Sequence, residues 1–155
     1  MTMEEVMRDT TAFGGYAMYA FVTALFLILG NWTVFAQLVV GIILCYAFTL
    51  PIRYFFFRRR PDKQSHSGFF TRIDAGSFPS IHSTRVVILA IILCRFFNNP
   101  LVSVLFALGV IGVIVTRVTL KRHYLSDALG GVVIGSIAGW LTLALTPHVL
   151  AALGW

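Results

Sequence analysis

The stretch Trp32–Ile52, WTVFAQLVVGIILCYAFTLPI, decides the fold. It holds no charged residue, and roughly 20 apolar residues are enough to cross the hydrocarbon of a bilayer. A helix lying on a soluble core would show a polar face every third or fourth residue, and this run has none to show. In lipid a segment must satisfy its own backbone hydrogen bonds, so the run reads as a spanning helix that begins at the interfacial anchor Trp32.

Working outward, the same reading repeats. Upstream lies Ala12–Leu29, ended by Gly30-Asn31. Downstream come Ile81–Phe97, then the turn Asn98-Asn99-Pro100, then a run from Leu101 to about Val115. The last is Ala128–Thr146, where Pro147 is expected to stop the helix. Arg85 and Arg95 sit near the two ends of the third run, where long side chains can snorkel to the interface. Gly131, Gly135 and Gly139, four apart, give the fifth helix a smooth face for close packing. The expectation is an all-α, polytopic transmembrane helix bundle of about five spanning helices, with residues 1–155 as a single integral-membrane domain.

Composition agrees. The chain is 58% hydrophobic and 12% charged, with mean hydropathy +0.86; soluble domains carry about twice that share of charge. Met1–Thr11 has Glu4, Glu5 and Asp9 against Arg8, the wrong sign for a secretion signal, so the first run is expected to stay in the mature protein. Cys45 and Cys94 both lie in apolar runs and read as small core residues. The net charge of +6 is concentrated in Arg53–Arg72 and Arg117–Arg122. Basic clusters beside a membrane suit anionic headgroups or a phosphorylated substrate; nucleic acid is the poorest fit for so little water-facing surface.

Only Arg58 to about Ser80 is long and polar, with a shorter polar stretch at Lys121–Asp127. With five spans, the loops after the second and fourth helices fall on one side of the membrane. That face gathers Arg53 and Arg60-Pro61, Pro79-Ser80-Ile81-His82, and Thr116-Arg117 with His123 and Asp127. Each has a plain structural explanation: a snorkelling or topology-setting arginine, a helix-capping serine, a local His–Asp pair. Together they supply three guanidinium forks matched to phosphate oxygens and two histidines able to attack or move protons.

The spacing resembles the type 2 phosphatidic acid phosphatase superfamily, whose marks are Lys-x6-Arg-Pro, Pro-Ser-Gly-His and Ser-Arg-x5-His-x3-Asp. All three occur here in order within 53–127, with Arg53 for the lysine, Ile81 for the glycine and Thr116 for the serine. Many of its members have six spans where five are counted here. The resemblance implies a membrane lipid phosphatase that uses no cofactor and no metal. In it His123 attacks phosphorus, Asp127 holds and polarises His123, and His82 protonates the leaving oxygen. Arg53, Arg60, Ser80 and Arg117 bind phosphoryl oxygens. Its partners would be a lipid phosphate and the surrounding membrane lipids of the cell membrane, with no nucleic acid; oligomeric state is not readable. Candidate substrates are polyprenyl diphosphate, phosphatidylglycerol phosphate, phosphatidate and phosphorylated lipid A.

Other polar residues match no motif. His66, His148, Lys63, Arg72, Lys121 and Arg122 are expected to face solvent or headgroups, with His66 and Lys63 in reach of a substrate headgroup. A small transporter or channel with a basic anion-binding vestibule is the rival reading; it accounts for the arginines and not for the spaced histidines. A metal site drawn from His66, His82, His123, Asp62, Asp74 and Asp127 lacks the usual ligand spacing and would lie beside cationic arginines. Of the 12 Lys and Arg residues, all but Arg95 fall on the active-site side, which by the positive-inside rule favours the cytoplasmic face.

Overall fold

A computed structural model describes residues 2–61, 73 and 75–154. His66, Lys63, Arg72, Asp62 and Asp74 lie outside the described residues. Six named helices run through the rest: α1 (Met3–Ala12), α2 (Tyr16–Ile28), α3 (Trp32–Phe55), α4 (Ile81–Phe97), α5 (Pro100–Thr119) and α6 (Leu125–Ala152).

The all-helical bundle expected from the sequence is what the chain forms. The number of spans differs. Among the described residues α3, α5 and α6 are long and apolar enough to cross a membrane, or four spans if the pair Glu5–Ala12 and Tyr16–Ile28, bent by 42°, counts as one. The first apolar run, Ala12–Leu29, is helical as α2 only from Tyr16 to Ile28, and the polar segment before it forms a separate helix, α1, with its own capping box from Thr2 and Glu5. At 17 residues α4 is shorter than a full span. It is the central helix, packed against α3, α5 and α6.

Two prolines sit inside helices. Pro51 lies within α3 and Pro147 within α6, which continues to Ala152 rather than stopping at Thr146. Each removes one backbone donor, a loss that lipid-facing helices tolerate when nearby hydroxyls and neighbouring helices hold the segment. Thr49 Oγ1 bonds the Cys45 carbonyl at 2.7 Å and Thr146 Oγ1 the Thr142 carbonyl at 2.7 Å, just before the two prolines.

Burial sorts the residues into a core and a lipid-facing belt. Tyr19, Phe26, Leu38, Cys45, Ile88 and Ile92 form the main core, with the Tyr19 hydroxyl donating to the Leu38 carbonyl at 2.9 Å. Leu101, Leu105, Leu108, Ile111 and Val115 of α5 are exposed at helical spacing, as are Leu129, Val133, Ile137 and Trp140 of α6. These rows face outward because the surrounding solvent is hydrocarbon.

The glycine row of α6 does what its spacing predicts. A β-carbon at Gly131 would stand 2.5 Å from the Ser80 carbonyl oxygen, and one at Gly135 2.7 Å from that of Thr84. At Gly139 it would meet the Ile91 side chain at 2.7 Å. Only glycine lets α6 lie this close to the backbone of α4. This contact places the start of α4, with His82, beside the start of α6, with Asp127.

Candidate active site

The site is assembled where the ends of α3, α4, α5 and α6 meet. Ser80 caps α4, accepting from the Ser83 amide at 3.4 Å, and is fully buried. Its own amide donates to the Asp127 carbonyl at 3.0 Å, tying the Pro-Ser loop to the first turn of α6. An isolated antiparallel bridge between Arg59 and Gly76, with the Ser77 amide donating to the Arg58 carbonyl at 2.8 Å, fastens the arginine segment to the same loop.

His123 lies between α5 and α6, 2% exposed. Its Nδ1 is 2.8 Å from the Ser77 carbonyl oxygen. A carbonyl can only accept, so Nδ1 carries the proton and Nε2 keeps its lone pair. The resemblance implies that Asp127 holds this ring. Its Oδ2 instead lies 4.0 Å from Nδ1, too far for a hydrogen bond. The carboxylate works around the ring: Oδ2 accepts from the Ser77 hydroxyl in a short hydrogen bond and from the Tyr124 amide at 2.9 Å. Oδ1 accepts from Arg58 Nη1 at 2.7 Å, and the Arg58 guanidinium lies over the Tyr124 ring at 4.2 Å.

Arg58 and Ser77 therefore belong to the site, and the sequence reading missed both. Arg58 passed as one more basic residue in a topology signal. Ser77 meets the ring through its main-chain carbonyl, a group every residue has, and its hydroxyl reaches Asp127 fifty positions away, so no local pattern marks it.

The charges of all three motif arginines act on His123, and Arg53 and Arg60 line one cavity with it. Burial, then the charges of Arg117, Arg53 and Arg60, push its pKa down to about 2, against which the Ser77 carbonyl bond works. The ring is thus neutral at physiological pH. Arg53 bonds the Pro79 carbonyl through Nε at 3.0 Å and Nη2 at 2.8 Å, and the Ile73 carbonyl through Nη1 at 3.2 Å. It braces the Pro-Ser loop as well as facing the site. Arg117 is buried in the last turn of α5, and its carbonyl accepts from the amides of Arg122 and His123 at 3.1 and 3.2 Å. Thr116, in the serine position of the third motif, bonds back to Gly112 at 2.9 Å and meets Thr11 of α1 at 3.1 Å.

A cavity of about 690 Å³ opens beside these groups. Arg53, Arg60, His82 and His123 line its polar end, and Leu50, Pro51, Tyr54 and Phe55 of α3 form an apolar wall. Ser80, Arg117 and Asp127, all buried, are not among the lining residues. Ile81, in the family's glycine position, faces the cavity from the first turn of α4. Arg85, expected to snorkel, is turned inward at 5% exposure and lines the same cavity. Lys121 and Arg122 are exposed, as is His148 in the C-terminal part of α6, away from the site. Among the described residues no group of three or more His, Cys, Asp or Glu is placed to hold a metal ion.

A helical bundle with apolar outer rows and a histidine framed by arginines defines a membrane phosphatase of one known class. The PAP2 superfamily profile matches residues 34–150, and the chain belongs to that superfamily. Among solved structures it is similar to LpxE from Aquifex aeolicus, at 19% identity and TM-score 0.75, covering 92% of this chain and 86% of that one. At that identity the likeness carries the fold. No curated protein sequence matches the chain significantly.

Proposed function

We propose that this protein hydrolyses the terminal phosphate of a membrane lipid phosphate or diphosphate through a phosphohistidine at His123, without a metal ion. The observation that supports it most is the ring geometry. Nδ1–H is held by the Ser77 carbonyl, so the Nε2 lone pair is available for attack, with Arg53, Arg60 and Arg117 around it.

The bond from Nε2 to phosphorus forms as the bond from phosphorus to the leaving oxygen breaks, and His82, which takes up a proton as the anionic substrate enters, gives that oxygen its proton. Water then attacks the phosphohistidine, His82 takes the water's proton, and inorganic phosphate leaves as the P–N bond breaks. The arginines, with the Ser80 hydroxyl at the loop, stabilise the charge spread over the transferring oxygens. The apolar wall of α3 suits a lipid tail entering sideways. The candidates remain polyprenyl diphosphate, phosphatidylglycerol phosphate, phosphatidate and phosphorylated lipid A.

The site faces the cytoplasm in this reading. This placement rests on the charge count made from the sequence, in which Arg95 alone falls on the other side, and leaving Arg85 out of that count keeps its sign.

The test is hydrolysis of these four lipids by purified protein in detergent with EDTA present. Activity is expected to persist under chelation, and His123→Ala is expected to lose at least about 10³-fold, as for removal of a covalent nucleophile. Activity that disappears with EDTA points to a metal enzyme. A complete lack of hydrolysis by the wild type returns the anion-transporter reading.

A further inference from the structure

Arg85 belongs to none of the three motifs, and the reaction above does not use it. It lies on α4 three residues after His82, on nearly the same face and roughly 4.5 Å further along the helix axis. It is 5% exposed, inside a bundle where a buried cation needs a partner. Among the described residues its Nε has no hydrogen-bond partner, and the contact made by its Nη1 is a long one, 3.4 Å to the Tyr46 hydroxyl of α3. Both side chains line the cavity that holds His82 and His123. An under-partnered guanidinium turned into a ligand cavity, with a hydroxyl beside it, is a fork for an anionic oxygen.

We propose that Arg85 and Tyr46 form a second anion-binding position, so that the site takes a lipid with two phosphoryl groups, the terminal one at His123 and its neighbour at Arg85. The inference rests on the phosphatase reading and narrows its substrate class. Its direction is consistent with a lipid. Arg85 lies deeper in the bundle than His82, and the tail-proximal phosphoryl group of such a substrate lies deeper than the terminal one. The neighbouring group is either joined directly, as in a prenyl diphosphate, or through glycerol, as in phosphatidylglycerol phosphate.

The experiment uses the full chain in detergent and two matched pairs: farnesyl diphosphate against farnesyl monophosphate, and phosphatidylglycerol phosphate against phosphatidate. Wild type is expected to prefer the doubly phosphorylated member of one pair by at least about tenfold in kcat/KM, and that pair identifies the linkage. Arg85→Gln is expected to lower kcat/KM for that member about 30-fold, mainly through KM, while its singly phosphorylated partner changes less than about threefold. Arg85→Lys should fall between the two. Equal preference within both pairs, or an equal loss on both members in Arg85→Gln, overturns the proposal.

A second measurement needs neither turnover nor a stable variant. Inorganic pyrophosphate should protect wild type from thermal unfolding at least about tenfold more tightly than orthophosphate. If no lipid is hydrolysed but pyrophosphate is still preferred, the phosphatase reading fails and the second anion position stands. Equal binding of the two anions overturns the position itself.

Discussion

Replacing Asp127 by Asn tests how His123 is held. Where a carboxylate alone sets the tautomer of a catalytic histidine, the Asp→Asn change costs about 10⁴ in rate. Here the Ser77 main-chain carbonyl binds Nδ1 at 2.8 Å, and no substitution of a side chain removes it. Asp127 stands at 4.0 Å and contributes through its charge. A full unit charge at that distance and an effective dielectric near 20 is worth about 4 kcal/mol. The imidazole carries part of a charge in the transition state, which brings the figure to about 2 kcal/mol, or about 30-fold. Asp127→Asn should therefore lower kcat/KM by between about 10- and 100-fold, the range typical of groups that orient a ligand from behind. The assay is phosphate release in detergent, with a thermal unfolding curve run on the same sample. The curve is needed because the substitution also disturbs the contacts to Ser77, Tyr124 and Arg58. A loss near 10⁴ in a folded variant would refute the argument and put the carboxylate on the ring in the working enzyme.

Three other expectations follow from the same structure. Gly135→Ala should destabilise the bundle by about 1–3 kcal/mol, because its β-carbon would meet the Thr84 carbonyl oxygen at 2.7 Å; an unchanged unfolding midpoint would show that α6 can back away from α4 at no cost. Burial and the arginines hold His123 far below the usual imidazole range, so acidifying from neutrality leaves the ring unprotonated. Its ¹⁵N signals in the ligand-free protein should stay those of the neutral Nδ1–H tautomer from about pH 8 to about pH 5, and a titration near pH 6.5 would contradict this. Finally, with Cys45 and Cys94 replaced, Ser67→Cys (outside the described residues) should react with a membrane-impermeant maleimide only after cell lysis; labelling of intact cells would place the site outside and favour a carrier-lipid diphosphate as substrate.

Much of this architecture was legible because lipid imposes simple rules. Ser80 and Asn98 bound α4 where a capping side chain and a left-handed turn would place them, and Ile81–Phe97 was read with those ends. Pro147 misled because proline stops helices in water more reliably than in a membrane bundle, and α6 runs through it to Ala152. The helix α1 went unread because its residues are polar and lie before the apolar run, where hydropathy marks no element. A β-carbon on Gly14 would lie 2.9 Å from the His82 carbonyl oxygen, a contact only the fold reveals. Arg85 was judged by its nearness to a helix end, although its i+3 relation to His82 already put both on one face. Charge alone drew attention to the segment around Arg58, and its contact with Asp127, 69 positions away, lies beyond any local pattern.

The glycine seam between α4 and α6 has a consequence for how lipid preference can change. It locks the helix bearing His82 to the helix carrying Asp127, just after His123, almost backbone to backbone, so the reacting groups travel as one body. The wall a lipid tail would touch belongs to another helix, where Leu50, Pro51, Tyr54 and Phe55 of α3 face the cavity. The histidines and the tail wall are thus assigned to separate parts, like a fixed jaw and an exchangeable one, with Arg53 the one reacting-site group carried on α3. Exchanging Leu50, Pro51, Tyr54 and Phe55 while keeping Tyr46 and Arg53 offers a way to alter which tail is accepted while the seam keeps the histidines in register.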